Sequence, residues 1–328
     1  MAPAPTTWVL TDGSAGNERQ ALALAHALSR LALAKAEDEP RVWRLTARAP
    51  WRWLAPRKLV GSSLAFGEEF RRALREPPKL AIGCGRQAAL ATRLLRVAGA
   101  RSVQILDPRI DPRHWDAVVV PEHDGLRGAN VITTHGSLHD VDPDWLAQTR
   151  ARFPQFGTQS SPRTLLLLGG PIANAPLDGE WWQRTAEAMH ARHARDGGSL
   201  SICASPRTPD WLVDAARSDL SDLPGVRWFE TSDGPNPYAG LLAWSERIVV
   251  SPDSVNLLSE AVATSATVHV ASPELAQGRH AMFLRALLER GRVCALNGDG
   301  IDAESTPLIE LPRVAAAVRK LIGSTGCR

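Results

Sequence analysis

Tyrosine is nearly missing: one residue, Tyr238, stands against eleven tryptophans in 328 residues. That lone phenol is followed four positions later by Leu242, and no GxGxxG fingerprint accompanies it. A dinucleotide-dependent epimerase or dehydrogenase, which needs both that fingerprint and a Tyr-x-x-x-Lys pair, is thereby set aside. Cysteine is sparse as well. Cys84, Cys203, Cys294 and Cys327 form no CxxC pair and have no histidine at ligand spacing, which argues against a disulfide framework and against a zinc site. There is no GK[ST] ending for a P-loop and no GxSxG elbow. Apolar runs such as residues 165–168 fall far short of the roughly 20 residues a membrane span requires, and the first residues, MAPAPTTWVL, lack a basic and then apolar leader pattern. Lysine is confined to Lys35, Lys58, Lys79 and Lys320, so arginine carries the basic charge. The net charge of +3 and pI of 8.9 stop short of a nucleic-acid footprint, and no nucleic-acid partner is expected.

What is present is an α/β pattern. Hydrophobic residues make up 44% of the chain, enough for a large core, and its length suits two domains. β-branched runs alternate with helical periodicity: strands are expected at 7–11, 41–45, 80–83, 103–106, 117–121 and 131–133, with a helix from Glu18. The polar stretch 154–162 (PQFGTQSSP) reads as a linker. The alternation then restarts, with strands at 164–168, 200–204, 226–229, 248–251 and 268–271 and a closing helix at 313–322. The expected domains are an N-terminal Rossmann-like lobe, 1–155, a C-terminal Rossmann-like lobe, 163–310, and a C-terminal helix, 311–328, returning to the first lobe. The expected fold class is α/β, two Rossmann-like lobes with a ligand cleft between them.

Candidate chemistry falls at strand ends. The segment 245–271 reads as strand, turn, helix and strand; Asp253 is a plausible N-cap, Ser254 is placed to meet a phosphate, and Glu260 lies two turns down the helix. An ordinary βαβ unit with a solvated Glu260 fits the same residues. Asp12, Gly13 and Gly16 form a loop after the first strand, suited either to a tight turn or to an amide cradle with Asp12 as a base. Gly169 and Gly170 open the second half in the same way. Arg207, between Pro206 and Pro209, presents a stiffly held guanidinium for phosphate or carboxylate. Asn236 and Tyr238 stand just before a helix. Glu122, His123 and Asp124 form the densest titratable group, with His123 a candidate general base; His135 and His139 are weaker candidates. Residues 41–58 (RVWRLTARAPWRWLAPRK) hold six basic side chains, no acidic one, and three tryptophans, a composition suited to an anionic membrane surface or an arginine-rich surface loop.

Taken in order, these motifs resemble the bacterial members of the mitochondrial-fission "elongated mitochondria" family. The matching residues are Trp8-Val9-Leu10-Thr11-Asp12-Gly13 with Gly16 and Gln20, Gly85-Arg86, Asp107-Pro108-Arg109, Pro121-Glu122-His123-Asp124, Asn130-Val131, Leu168-Gly169-Gly170-Pro171, Ser205-Pro206-Arg207-Thr208-Pro209, Asn236-Pro237-Tyr238, and Asp253-Ser254 with Glu260-Ala261. The chain departs at Thr264-Ser265-Ala266-Thr267, where the family usually has Gly then Pro. The resemblance implies a fold like the two-lobed GT-B glycosyltransferases. It implies a nucleotide-diphosphate sugar as co-substrate, with no other cofactor and no metal. Ser254 and Arg207 would hold the diphosphate, Glu260 the ribose, and His123 or Asp12, with Asp124 nearby, would activate an acceptor hydroxyl. The resulting expectation is a metal-independent glycosyltransferase of envelope or glycan metabolism. It would be cytoplasmic, and peripheral at the inner membrane or on a lipid-linked acceptor through residues 41–58. The alternative is a non-catalytic scaffold binding protein or membrane, since plant members recruit fission machinery to mitochondria.

Overall fold

A computed structural model of the chain describes residues 6–31, 39–297 and 306–324. The chain divides into two compact units, Met1–Asp140 with Glu310–Arg328, and Val141–Ile309. The first contains β1 (Thr7–Thr11), α1 (Ala15–Leu31), β2 (Arg41–Arg44), α2 (Trp51–Leu54), α3 (Gly67–Ala73), β3 (Leu80–Cys84), α4 (Arg86–Val97), β4 (Arg101–Ile105), β5 (Ala117–Pro121) and β6 (Val131–Thr134). All six strands are parallel, in the order β2-β1-β3-β4-β5-β6. Helices cover both faces, which is why strands such as Ala117–Pro121 are apolar without alternation.

The second unit holds α5 (Pro143–Arg152), β7 (Arg163–Leu168), α6 (Gly179–Asp196), β8 (Ser199–Ala204), α7 (Asp210–Asp219), β9 (Arg227–Trp228), α8 (Tyr238–Trp244), β10 (Arg247–Val250), α9 (Val255–Ala261), β11 (Thr267–Val270), α10 (Gly278–Glu289) and β12 (Cys294–Ala295). Its sheet is again parallel, in the order β12-β11-β10-β7-β8-β9. The chain then returns to the first unit. Its last helix, α11 (Leu311–Ser324), buries Leu311, Val314, Ala315 and Val318 against Ala21, Leu24 and Leu28 of α1. Among the described residues no helix is long and apolar enough to cross a membrane.

Three local expectations change. The stretch 154–162 lies inside the second unit, whose boundary is at Asp140/Val141. Phe156 is buried there, and Gly157 packs so closely on Trp244 that a Cβ would lie 2.7 Å from its ring. Glu246 ties down the far end, accepting from Ser161 Oγ at 2.8 Å and from the Arg163 amide at 2.7 Å. A polar, turn-rich composition does not make a linker when its few apolar atoms are the ones the core needs. Second, α1 starts at Ala15, which puts Gly16 in the helix rather than in the loop. Third, α10 and β12 complete the second unit; β12 is two residues long, too short to leave a periodic trace.

Each sheet reverses its winding at one place. In the first unit this is between β1 and β3, in the second between β7 and β10. Chains leaving two such neighbouring strands turn to opposite faces and open a crevice at the carboxyl ends, where parallel α/β sheets hold their ligands.

Candidate functional site

At the crevice of the second unit the carboxylate of Asp253 is the organising group. Its side chain is 0% exposed. Oδ1 accepts from Ser251 Oγ at 2.6 Å, and Oδ2 accepts from the Gly170 amide at 3.0 Å and from Arg207 Nη2 at 2.8 Å. The Ser251 hydroxyl oxygen in turn accepts from the Gly169 amide at 2.8 Å. One buried carboxylate therefore joins the turns after β7, β8 and β10. Burying that charge is tolerable only because three donors meet it.

This geometry reassigns roles that look alike in sequence. Asp253 does not cap α9. Ser254 does, its Oγ accepting from the Leu257 amide at 3.3 Å. The amides of Gly169 and Gly170 point into the protein. A Cβ on Gly169 would lie 2.1 Å from Asp253 Oδ2, and one on Gly170 would lie 2.0 Å from the Arg207 carbonyl oxygen. These glycines are demanded by the packing of Asp253 and Arg207 against them. The group that reaches solvent here is the Arg207 guanidinium, 48% exposed and held from beneath by Asp253. A guanidinium fixed in this way keeps its remaining N–H donors aimed while losing little entropy on meeting an anion.

On α9, which follows Asp253, Glu260 is only 6% exposed. It accepts from the Tyr238 hydroxyl at 2.5 Å. Tyr238 is set at the start of α8 by Asn236, which is exposed and whose Oδ1 accepts from the Tyr238 amide at 2.9 Å. His280 of α10, not singled out in the sequence, places Nε2 3.1 Å from the Asp253 carbonyl oxygen. Only the tertiary placement of α10 brings it there.

In the first unit the crevice holds Asp12, Gly13, Asn17, Cys84 and Gly85. Gly13 has φ +86°, and the exposed Asp12 accepts through Oδ1 from the Ser14 amide at 3.0 Å and Asn17 Nδ2 at 3.1 Å. Gly85 closes on this pair: a Cβ there would lie 2.9 Å from Asn17 Nδ2. His123 and Asp124 occupy a single 3-10 turn after β5. In the sheet, β5 is three strands from β1. At roughly 4.8 Å per strand the two positions are on the order of 14 Å apart, so Asp12 and His123 do not serve one atom together. Instead Glu122 meets His135, Oε2 to Nδ1 at 3.1 Å. The parallel register pairs Pro121 with Thr134, which puts the next residue of each strand side by side. His135 is fixed further by Glu310, whose Oε2 accepts from the His135 amide at 2.7 Å. The adjacency of β5 and β6 was the signal for this pair.

Two thiols also belong to these layers. Burial, reinforced by the charge of Asp12, pushes the Cys84 thiol up, and burial pushes Cys203 up to about 12. Thiolate is the reactive form. Neither Cys84 nor Cys203 should be alkylated in the native protein at neutral pH, and both should be alkylated in denaturant, as peptide mass spectrometry would show. Among the described residues no group of three or more His, Cys, Asp or Glu side chains is arranged to hold a metal.

Comparison with known proteins bears on the whole chain. The family model described as mitochondrial fission ELM1 matches residues 15–322. A mitochondrial fission protein ELM1 of Arabidopsis thaliana is 27% identical over 77% of this chain; the chain spans 66% of that relative's length. Protein RP120 of Rickettsia prowazekii is 20% identical, over 95% of this chain and 97% of its own length. Among solved structures, a UDP-GlcNAc 2-epimerase from Methanocaldococcus jannaschii superposes with a TM-score of 0.54 at 13% identity, covering 96% of this chain and 99% of the other. The MnaA–UDP co-structure from S. aureus gives a TM-score of 0.53 at 10% identity, covering 97% of each chain. At such identities the likeness carries the fold, a GT-B-like pair of Rossmann-type units.

Proposed function

The chain belongs to the mitochondrial fission ELM1 family, and from that premise we propose that it is a transferase acting on a nucleotide-diphosphate sugar, with the donor held by its second unit. The observation that carries this reading is the half-exposed Arg207 anchored on buried Asp253 at the point where the second sheet reverses. Arg207 binds the diphosphate and stabilises the charge that grows on it as the glycosidic bond breaks. Glu260, positioned by Tyr238 and Asn236, takes the ribose hydroxyls. Ser254 contributes less than its sequence position suggests, because its hydroxyl already caps α9. In the first unit Asp12, held by Ser14 and Asn17, accepts the proton of an acceptor hydroxyl. That oxygen bonds to the anomeric carbon and the nucleoside diphosphate departs. His123, in its turn after β5, is the alternative base, and Asp12→Asn against His123→Ala separates the two.

Isothermal titration with UDP, ADP and GDP tests the reading. One nucleoside diphosphate should bind, and Arg207→Ala should weaken it by about 10- to 100-fold, as loss of a charge-assisted hydrogen bond implies. Glu260→Ala should weaken the nucleotide but not inorganic pyrophosphate. No binding of any nucleotide at millimolar concentration overturns the proposal.

A second reading, contact of residues 41–58 with an anionic membrane surface that carries the acceptor, is favoured by one observation. Arg48, Arg52, Arg57 and Lys58 are exposed, and among the described residues none has a carboxylate within ion-pair distance. The other two arginines of the stretch, and Trp43, are engaged within the unit. Arg41 stacks over Trp43 at 4.0 Å and pairs with Glu69 at 3.0 Å, Arg44 pairs with Glu18 at 2.6 Å, and Trp43 is buried.

A further inference from the structure

Seven large apolar side chains are exposed among the described residues. Val97, Trp211 and Met282 are scattered one to a helix, as single exposed apolar residues commonly are. The other four fall within twelve residues of one another: Trp53 at 68% exposure, Leu59 at 49%, Val60 at 100% and Leu64 at 47%. Clustering of this kind marks a surface that meets something apolar.

The backbone of this loop is tied down although its side chains are not. Arg86, at the start of α4, donates Nη2 to the Arg52 carbonyl at 2.9 Å and Nη1 to those of Trp53 and Ala55 at 3.3 and 3.4 Å. Arg93 donates to the Pro56 carbonyl at 2.6 Å. Ser62 Oγ accepts from the Leu59 amide at 2.8 Å, and the Arg48 amide reaches the Ala65 carbonyl at 2.8 Å. The carbonyls of residues 52, 53, 55 and 56 are thus held from inside, and the exposed apolar side chains are presented on a fixed backbone at small entropic cost. Interleaved with them or just before them in the sequence are the exposed Arg48, Arg52, Arg57 and Lys58, and no acidic residue occurs between Glu39 and Glu68. A protein partner of ordinary composition would leave four neighbouring cations needing four matched carboxylates. A bilayer of anionic lipid supplies diffuse negative charge and an apolar layer just beneath it, the two things this loop presents together.

We infer that the loop around residues 51–64 inserts Trp53, Leu59, Val60 and Leu64 into the headgroup–acyl boundary of an anionic bilayer, with Arg52, Arg57 and Lys58 at the phosphate level. This rests on the membrane-contact reading above and narrows it from charge attraction to shallow apolar insertion. It also fixes an orientation for the first unit. The residue that pins the loop, Arg86, follows Gly85 of the β1/β3 crevice, so the inserted loop lies at the carboxyl end of that sheet.

The test is co-sedimentation of the full chain with vesicles of phosphatidylcholine alone and with added phosphatidylglycerol. The chain should bind the anionic vesicles. Val60→Asp and Trp53→Ser should each weaken binding by about 10- to 100-fold, the loss of one buried apolar side chain. Arg57→Gln with Lys58→Gln should weaken it by about fivefold per charge and abolish its salt dependence in part. Circular dichroism and nucleotide titration, unchanged in all of these variants, show that the fold is intact. Binding to anionic vesicles that Val60→Asp and Trp53→Ser leave unaltered overturns the insertion while sparing charge contact. Absence of vesicle binding overturns both. Concentration-dependent dimerisation that Val60→Asp removes, without vesicle binding, assigns the loop to a second copy of the chain and overturns the inference too.

Discussion

Asp253→Ala should cost the second unit about 3–5 kcal/mol, the range for removing one partner of a buried, hydrogen-bonded charge. Thermal unfolding of that unit should fall by about 10 °C, since 1 kcal/mol moves a domain of this size by about 2–4 °C. The reason lies in what the substitution leaves behind. Ser251 Oγ and the Gly170 amide lose a buried acceptor, and the half-exposed Arg207 loses the carboxylate that holds its Nη2 in place. Asp253→Asn keeps the shape and one acceptor oxygen but loses the charge opposite Arg207, so a loss of about 1–3 kcal/mol is expected. Arg207→Ala gives the control. Its side chain is half exposed, and the carboxylate keeps Ser251 and Gly170, so it should lower stability less than Asp253→Ala while weakening nucleotide binding by about 10- to 100-fold. If Asp253→Ala unfolded at the parental temperature, the turns after β7, β8 and β10 would be held by something other than this carboxylate. Differential scanning calorimetry on the three variants decides the matter.

Those three turns also show how far the sequence can be read. The βα alternation was legible because strands buried on both faces must be continuous apolar runs, and Leu165 to Leu168 are all 0% exposed. The polar residues at strand ends were legible as a set, since a parallel sheet collects its carboxyl ends on one edge. Their individual roles were not. Asp253 and Ser254 are adjacent, and either can cap a helix; which one does depends on Arg207 and Gly170, brought in from strands far away in sequence. Glu260 looks like any surface glutamate until Tyr238, 22 positions earlier, donates to it. Glu122 and His135 meet only because β5 and β6 pair in one register. Residues 41–58 looked uniform in composition, yet Arg41 and Arg44 serve carboxylates inside the unit and the exposed cluster begins later and runs beyond the stretch, to Leu64. In each case periodicity gave the element and a non-local partner gave the function.

The same distinction predicts that two glycines in similar settings respond very differently to alanine. Gly13 and Gly170 both follow a strand at the point of reversal. At Gly13 the backbone has φ +86° but nothing lies within 4 Å of an added Cβ. Gly13→Ala should therefore cost only the left-handed backbone term, about 1–2 kcal/mol, and leave nucleotide binding in the second unit unchanged. At Gly170 the backbone is unstrained, but the new Cβ would lie 2.0 Å from the Arg207 carbonyl oxygen and 3.2 Å from the Arg207 Cβ. The obstacle is main chain, so no rotamer change relieves it; the turn after β8 must retreat by about 1 Å. Overpacking of this kind costs about 1–3 kcal/mol and at times more. The retreat also withdraws Arg207 Nη2 from Asp253, which adds part of the penalty of an unpaired buried charge. Gly170→Ala should thus destabilise the second unit by roughly 3 kcal/mol or more and weaken nucleotide diphosphate by at least about tenfold, whereas Gly13→Ala should do neither to that unit. Equal losses from the two substitutions would mean that the close approach of the Arg207 main chain is not what demands glycine at 170. Unequal losses in the expected order mean that Gly170 is there because Arg207 must come that close to reach its carboxylate.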